Sequence, residues 1–192
     1  MQPRHLLAPL LLTAALLPPV AAAAAEQQFR VDAAQSRIAF QVDARLHLVR
    51  GTLPVASGEL RIDPGTGTAS GEVVADARRA ATGNGMRDRK MHDDVLLSAA
   101  FPAIVFTAEG FEGAAIEEGR STARLRGRFS MAGREHAVTL DATLERQGDE
   151  LVVTSEFGVP FRKWGLKDPS LPLLRLADEV QVTVRLQGKL TP

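Results

Sequence analysis

The sequence predicts an all-β fold, an antiparallel barrel of about eight strands with one short helix. Three observations carry this reading. Long stretches alternate apolar and polar residues with period two. Turn residues part these stretches at hairpin spacing, and a single stretch, 87–98, has helical spacing instead.

The first strand is expected from Ser36, where Ile38, Phe40, Val42, Ala44, Leu46 and Leu48 alternate with Arg37, Ala39, Gln41, Asp43, Arg45 and His47. His47 falls on the outer face of that strand. Shorter strands are expected over 51–63, 69–79 and 104–111. Leu125, Gly127, Phe129 and Met131 then oppose Arg124, Arg126, Arg128 and Ser130, and Val138, Leu140, Ala142 and Leu144 oppose Thr139, Asp141, Thr143 and Glu145. Leu151, Val153, Ser155, Phe157, Val159 and Phe161 form the next row, and Val180, Val182, Val184 and Leu186 the last. The turns are D-P-G-T-G at 63–67, E-E-G at 117–119, A-G-R at 132–134 and Q-G-D at 147–149. Within 87–98, Met91, Val95 and Ser98 share a side.

Residues 1–25 are expected to be a secretory signal and residues 26–192 the barrel domain. Arg4 and His5 precede an apolar run of about a dozen residues, and five alanines at 21–25 supply a small-residue exit. That run falls short of the roughly 20 residues of a membrane span. A periplasmic or secreted location follows as the expectation. Without the segment the chain keeps 22 basic and 23 acidic residues, a formal charge of −1 that draws it neither to nucleic acid nor to an anionic membrane. The chain has no cysteine, which rules out thiol nucleophiles, thiolate zinc and iron–sulfur clusters. A single tryptophan and no tyrosine leave no aromatic girdle for an outer-membrane barrel.

A barrel of about eight strands either fills with side chains or holds one small ligand. Ala44, Gly127, Ala142 and Gly188 are small residues at inward positions and leave room. They equally suit a tapered or closely packed barrel. Both outcomes stay open on this ground alone.

The segment 82–106 demands a separate account. Seven of the eight residues 87–94 are charged or histidine, and the chain then turns apolar. Asp88 and His92 are simple i to i+4 neighbours on a helix, not a base held by a partner. Arg87, Arg89 and Lys90 are offset by Asp88, Asp93 and Asp94, with no interleaved aromatics for base stacking. The expected role is a connection across one barrel mouth: Thr82-Gly83-Asn84-Gly85 turns the chain, the charged helix lies on the surface, and Leu96, Leu97 and Phe101 return to the core. Pro102 keeps the approach to the next strand extended.

No H-x-H or H-x-x-x-H pair, G-x-S-x-G elbow or phosphate-binding glycine loop is present, so no catalytic residue, metal or cofactor is expected. Trp164 lies in the proline-interrupted segment R-K-W-G-L-K-D-P-S-L-P, either as a plug closing one barrel end or as a gate beside the entrance. Arg162, Lys163 and Lys167 flank it.

The chain resembles the YceI-like family, secreted lipocalin-like barrels that bind polyisoprenoid or related amphiphilic lipids. The resemblance rests on F-R-V-D-A-A-Q-S-R-I-A-F-Q-V, V-R-G-T-L, S-G-E-L-R-I-D-P, T-G-N-G-M-R-D with F-P-A-I-V-F, L-R-G-R-F-S-M-A-G-R-E-H-A-V-T-L and L-A-D-E-V-Q-V-T-V-R-L, in this order. After Arg87-Asp88 the chain departs from the family's usual histidine and leucine with Arg89-Lys90-Met91. The resemblance implies binding, transport or storage of a long apolar amphiphile, such as an isoprenoid quinone or polyprenol, without catalysis. Ile38, Phe40, Val42, Phe106, Phe129, Leu140, Phe157, Val159, Trp164, Val182 and Val184 are the expected lining. Arg87, Asp88 and Arg162 are expected to meet the ligand's head or to order loops. The alternative is a dry barrel, a stress-related module whose loops bind a protein partner. The oligomeric state stays open, a homodimer included.

Overall fold

The computed structural model describes residues 26–44, 47–170 and 175–192. The expected signal segment lies outside the described residues. Among these, ten strands form one antiparallel sheet: β1 (Gln27–Val31), β2 (Arg37–Ala44), β3 (His47–Leu53), β4 (Val55–Asp63), β5 (Thr68–Asp76), β6 (Ala103–Glu112), β7 (Gly119–Met131), β8 (Arg134–Gln147), β9 (Glu150–Val159) and β10 (Val180–Thr191). Eight of them close the barrel in the order β1-β4-β5-β6-β7-β8-β9-β10, with β10 returning to β1. The fold class read from the sequence is the one observed.

The two further strands, β2 and β3, continue the wall where β1 and β4 stop. Gly188–Thr191 of β10 pair with β1, whereas Gln181–Arg185 pair with β2. The break between β1 and β2 is a turn in which the Asp32 carboxylate accepts from the Ala34 and Gln35 backbone N–H groups. Pro54 separates β3 from β4. Close approach at the β1–β10 seam requires glycine at 188, because a Cβ there would meet the Arg30 carbonyl oxygen at 2.1 Å.

The single long strand expected over 38–48 is instead the β2–β3 hairpin, in which Val42 pairs with Val49 and Ala44 with His47. The apolar alternation runs through the turn unchanged, so periodicity alone hides it. The pairing puts Val49, Gly51 and Leu53 on the inner side in place of Leu48, and sets His47 on Ala44's side, exposed at the hairpin end. The expected strands over 51–63 and 69–79 break likewise, at Pro54 and at a 3-10 turn, Ala77–Arg79.

The helix begins earlier and ends earlier than expected. Its α-helical part is α1 (Gly85–Lys90), capped by the Asn84 side chain, which accepts from Arg87 N at 3.0 Å. It continues as a π-helical stretch, Met91–Leu96, terminated by Leu97 in the left-handed region at φ 50°. Val95 and Leu96 pack against Phe161, Leu166 and Met131. Leu97 and Phe101, expected in the core, stay exposed at 41% and 39%.

The two barrel ends differ in kind. At one, Phe29, Ile116, Leu151 and Leu190 are all but fully buried. Ile116 comes from the β6–β7 connection and is fixed by Gln27, whose side chain exchanges hydrogen bonds of 3.2 and 3.1 Å with its backbone. The other end carries the helical connection, the β7–β8 turn and the segment after β9.

Candidate ligand cavity

The inner rows of the barrel do not meet at the axis. They leave an apolar cavity of about 160 Å³ reaching from Phe29 and Ile116 at the closed end to Ile104, Val159 and Trp164 at the other. Every lining residue is apolar except Ser155, whose hydroxyl donates to the Asp141 carbonyl at 2.7 Å. Among the described residues no acid, base or histidine lines it, and its wall is an apolar binding surface.

Ile38, Phe106, Phe129, Leu140, Phe157, Val159, Trp164, Val182 and Val184 all stand on its wall. Phe40 and Val42 do not. The Phe40 ring lies over Gly51 beside the Ala81 carbonyl, and Val42 packs with Ala44 and Val49 in a separate cluster nearer the hairpin tip. Of the small inward residues, Ala142 alone opens space. A Cβ at Gly127 would come within 2.9 Å of the Phe106 ring, so that glycine accommodates an aromatic side chain. Phe29, Phe111 and Ile116 line the closed end as well. Phe29 and Phe111 sit in strands whose alternation is short or irregular, and Ile116 is a lone apolar residue between turns, which left all three without a periodic signal.

An aromatic chain leads out of the cavity. Phe129 stacks on Phe157 with ring centroids 5.4 Å apart, meets Phe106 at 5.3 Å and Trp164 at 6.3 Å. Trp164 in turn lies parallel to the imidazole of His136, 4.4 Å away. The three separations that Phe129 makes fall within the favourable range for aromatic pairs.

The polar residues expected at the mouth all act on its loops. Arg87 and Asp88 do not pair with each other; both grip Thr82. Arg87 Nε donates to Thr82 Oγ1 at 2.8 Å and Nη2 to its carbonyl at 3.2 Å, while the Asp88 carboxylate accepts from Thr82 N at 2.8 Å and from its hydroxyl. The Thr82 hydroxyl bond, against some desolvation, holds the Asp88 carboxyl below its ordinary value. Arg162 ties the segment after β9 into a loop through Asp168, Asp178 and the Leu176 carbonyl. Lys167 reaches the other cover, donating to Asp94 on the π-helical stretch. His92 Nδ1 is 2.9 Å from the Ser98 hydroxyl, so neither His92 nor Asp88 faces the cavity. Among the described residues no group of three or more His, Asp or Glu side chains is placed to hold a metal.

The barrel has close structural counterparts. Its fold matches the Burkholderia cenocepacia protein BcnA with a TM-score of 0.68 at 16% identity, over 82% of this chain and 99% of that one. A polyisoprenoid binding domain from Saccharophagus degradans gives 0.68 at 15% identity, over 84% and 97%. A Campylobacter jejuni YceI protein gives 0.61 at 17% identity, over 73% and 84%. No curated protein matches. The YceI-like domain profile matches residues 29–188, nearly the whole barrel, and the chain therefore belongs to the YceI-like domain family.

Proposed function

We propose that this protein binds a long apolar amphiphile, an isoprenoid quinone or polyprenol-like lipid, inside its barrel and carries or stores it in the periplasm without catalysis. One observation carries the reading: a cavity walled throughout by apolar side chains, its single polar lining group already hydrogen-bonded. The polyisoprenoid binding described for the Saccharophagus degradans counterpart points the same way. Export is the reading of residues 1–25, and the cysteine-free chain suits an oxidising compartment.

Size sets a condition on this function. About 160 Å³ compares with a cavity that takes up benzene and lies below the roughly 300–1,000 Å³ of pockets for larger ligands. A long chain therefore enters by moving wall side chains, of which Trp164 is the largest. The driving force suffices: at about 0.8 kcal/mol per buried methylene, each five-carbon isoprene unit contributes about 4 kcal/mol before ordering costs.

The test is native mass spectrometry of protein purified from its own periplasm, followed by lipid extraction. One isoprenoid lipid per chain is the expected result. A chain that arrives clean, and takes up neither added quinone nor polyprenol, would leave a dry barrel whose loops bind a protein partner.

A further inference from the structure

Inner positions of β8 run from Leu144 through Ala142, Leu140 and Val138 to His136, so the apolar row ends at the mouth in an imidazole. Its cross-strand neighbour on β7 is Phe129, which lines the cavity. His136 Nε2 is buried and has no hydrogen-bond partner among the described residues. Trp164 covers the ring face to face. A buried ring nitrogen left unmatched is costly, and native proteins seldom keep one without a use.

Resting on the carrier reading above, we propose that His136 is the anchor for the ligand's head, and that the head is a small uncharged oxygen group, a hydroxyl or a ring carbonyl. The tail occupies the cavity below Phe129. Entry displaces the Trp164 indole, the one aromatic of the stack carried on the segment after β9, and makes room for the head to reach Nε2 in the plane of the ring. A hydroxyl can both donate and accept, so it suits either tautomer of the ring; a carbonyl suits the tautomer with hydrogen on Nε2. An anionic head is not what this neck is built for. Of the cations around Trp164, Arg162 is already bound to Asp168 and Asp178 and Lys167 to Asp94, while Lys163 and Arg134, whose guanidinium lies against Gly165, are exposed and outside the apolar lining. His136 thus supplies selectivity where the cavity supplies affinity.

The test compares farnesol with farnesene, which share a fifteen-carbon isoprenoid skeleton and differ in the hydroxyl. Dissociation constants are read from Trp164 fluorescence, the chain's single tryptophan, and checked by native mass spectrometry. Wild type is expected to prefer farnesol about tenfold, the scale of one buried hydrogen bond. In His136→Phe, which keeps a ring for Trp164 to stack on, farnesene affinity holds and the preference disappears; His136→Gln, with an amide donor and acceptor, retains part of it. An equal preference in wild type and His136→Phe, or none in wild type, overturns the anchor while leaving the carrier intact. Farnesyl phosphate binding more tightly than farnesol in wild type and variant alike would assign the head to surface cations instead. A wild type that binds none of the three probes removes the carrier reading and the anchor with it.

Discussion

Filling the cavity separates stability from binding, and Ala142→Leu does so at its centre. Ala142 is 5% exposed, lines the cavity, and lies between two other small residues, Ala123 on β7 and Ser155 on β9. The substitution adds three carbons that point inward. At about 0.8 kcal/mol per carbon, burying them stabilises by at most about 2.4 kcal/mol. Imperfect fit costs about 1–3 kcal/mol. The net effect on folding is therefore small, from about 1.4 kcal/mol stabilising to about 0.6 kcal/mol destabilising. The effect on binding is not small. Three groups of about 30 Å³ each, the scale of a water molecule, take up more than half of the 160 Å³. Farnesol affinity is expected to fall at least tenfold in a protein that unfolds in urea at nearly the wild-type midpoint. A folded Ala142→Leu variant with wild-type affinity would refute the assignment of the cavity as the binding site.

Other perturbations address the wall and the covers. Phe129→Ala removes the centre of the aromatic stack and is expected to cost about 3–5 kcal/mol, lowering Tm by roughly 10 °C in a thermal melt. Thr82→Val deletes the hydroxyl shared by Arg87 and Asp88; stability falls by about 1 kcal/mol and amide exchange accelerates over 85–96, with the barrel strands unchanged. Acid should loosen the same end. The Lys167 hydrogen bond chiefly lowers the Asp94 carboxyl, and at Asp168 desolvation pushes up but hydrogen bonds from Ser170 and Arg162 outweigh it; with Asp88, three carboxyls on the mouth covers lie below their ordinary values. A depressed carboxyl stabilises the fold above its unfolded pKa, about 3.9, and that contribution is lost as pH falls through the lower folded value. Exchange over 160–170, corrected for intrinsic rates, should therefore rise only below about pH 4, and a rise centred above pH 5 would contradict these pairings.

Strand alternation made most of the wall legible, because a half-buried strand must place one apolar residue in every two toward the interior. That is why Leu140, Phe157 and Val184 could be assigned from spacing alone. Where the chain reverses without breaking the alternation, as between Ala44 and His47, the same signal misleads: Phe40 and Val42 have the spacing of the wall but lie off the cavity. Leu97 and Phe101 show a related limit. Both are apolar, but one is fixed in a left-handed helix cap and the other packs over Gly133, so local backbone geometry holds them at the surface. His136 gave no signal either. It occupies an inner position in a row whose spacing is regular, but its role depends on Trp164, 28 residues away in a segment with no periodicity.

The asymmetry of the two ends decides which one admits a ligand. Opening the end closed by Phe29, Ile116, Leu151 and Leu190 exposes four fully buried side chains. At about 1.5–3 kcal/mol each this forfeits about 6–12 kcal/mol, comparable to the roughly 5–15 kcal/mol that holds a whole domain folded. That end opens only when the barrel unfolds. At the mouth, Trp164, Val95 and Leu96 are half-buried, and the Lys167–Asp94 pair that joins the two covers is solvent-exposed, a kind of contact worth about 1 kcal/mol or less. Phe161 and Leu166 are the deep anchors of the segment after β9, and the indole at 164 can swing aside while both stay seated. Access at a cost of a few kcal/mol is then compatible with a barrel that never loosens, and each isoprene unit that follows the first into the interior offsets about that amount.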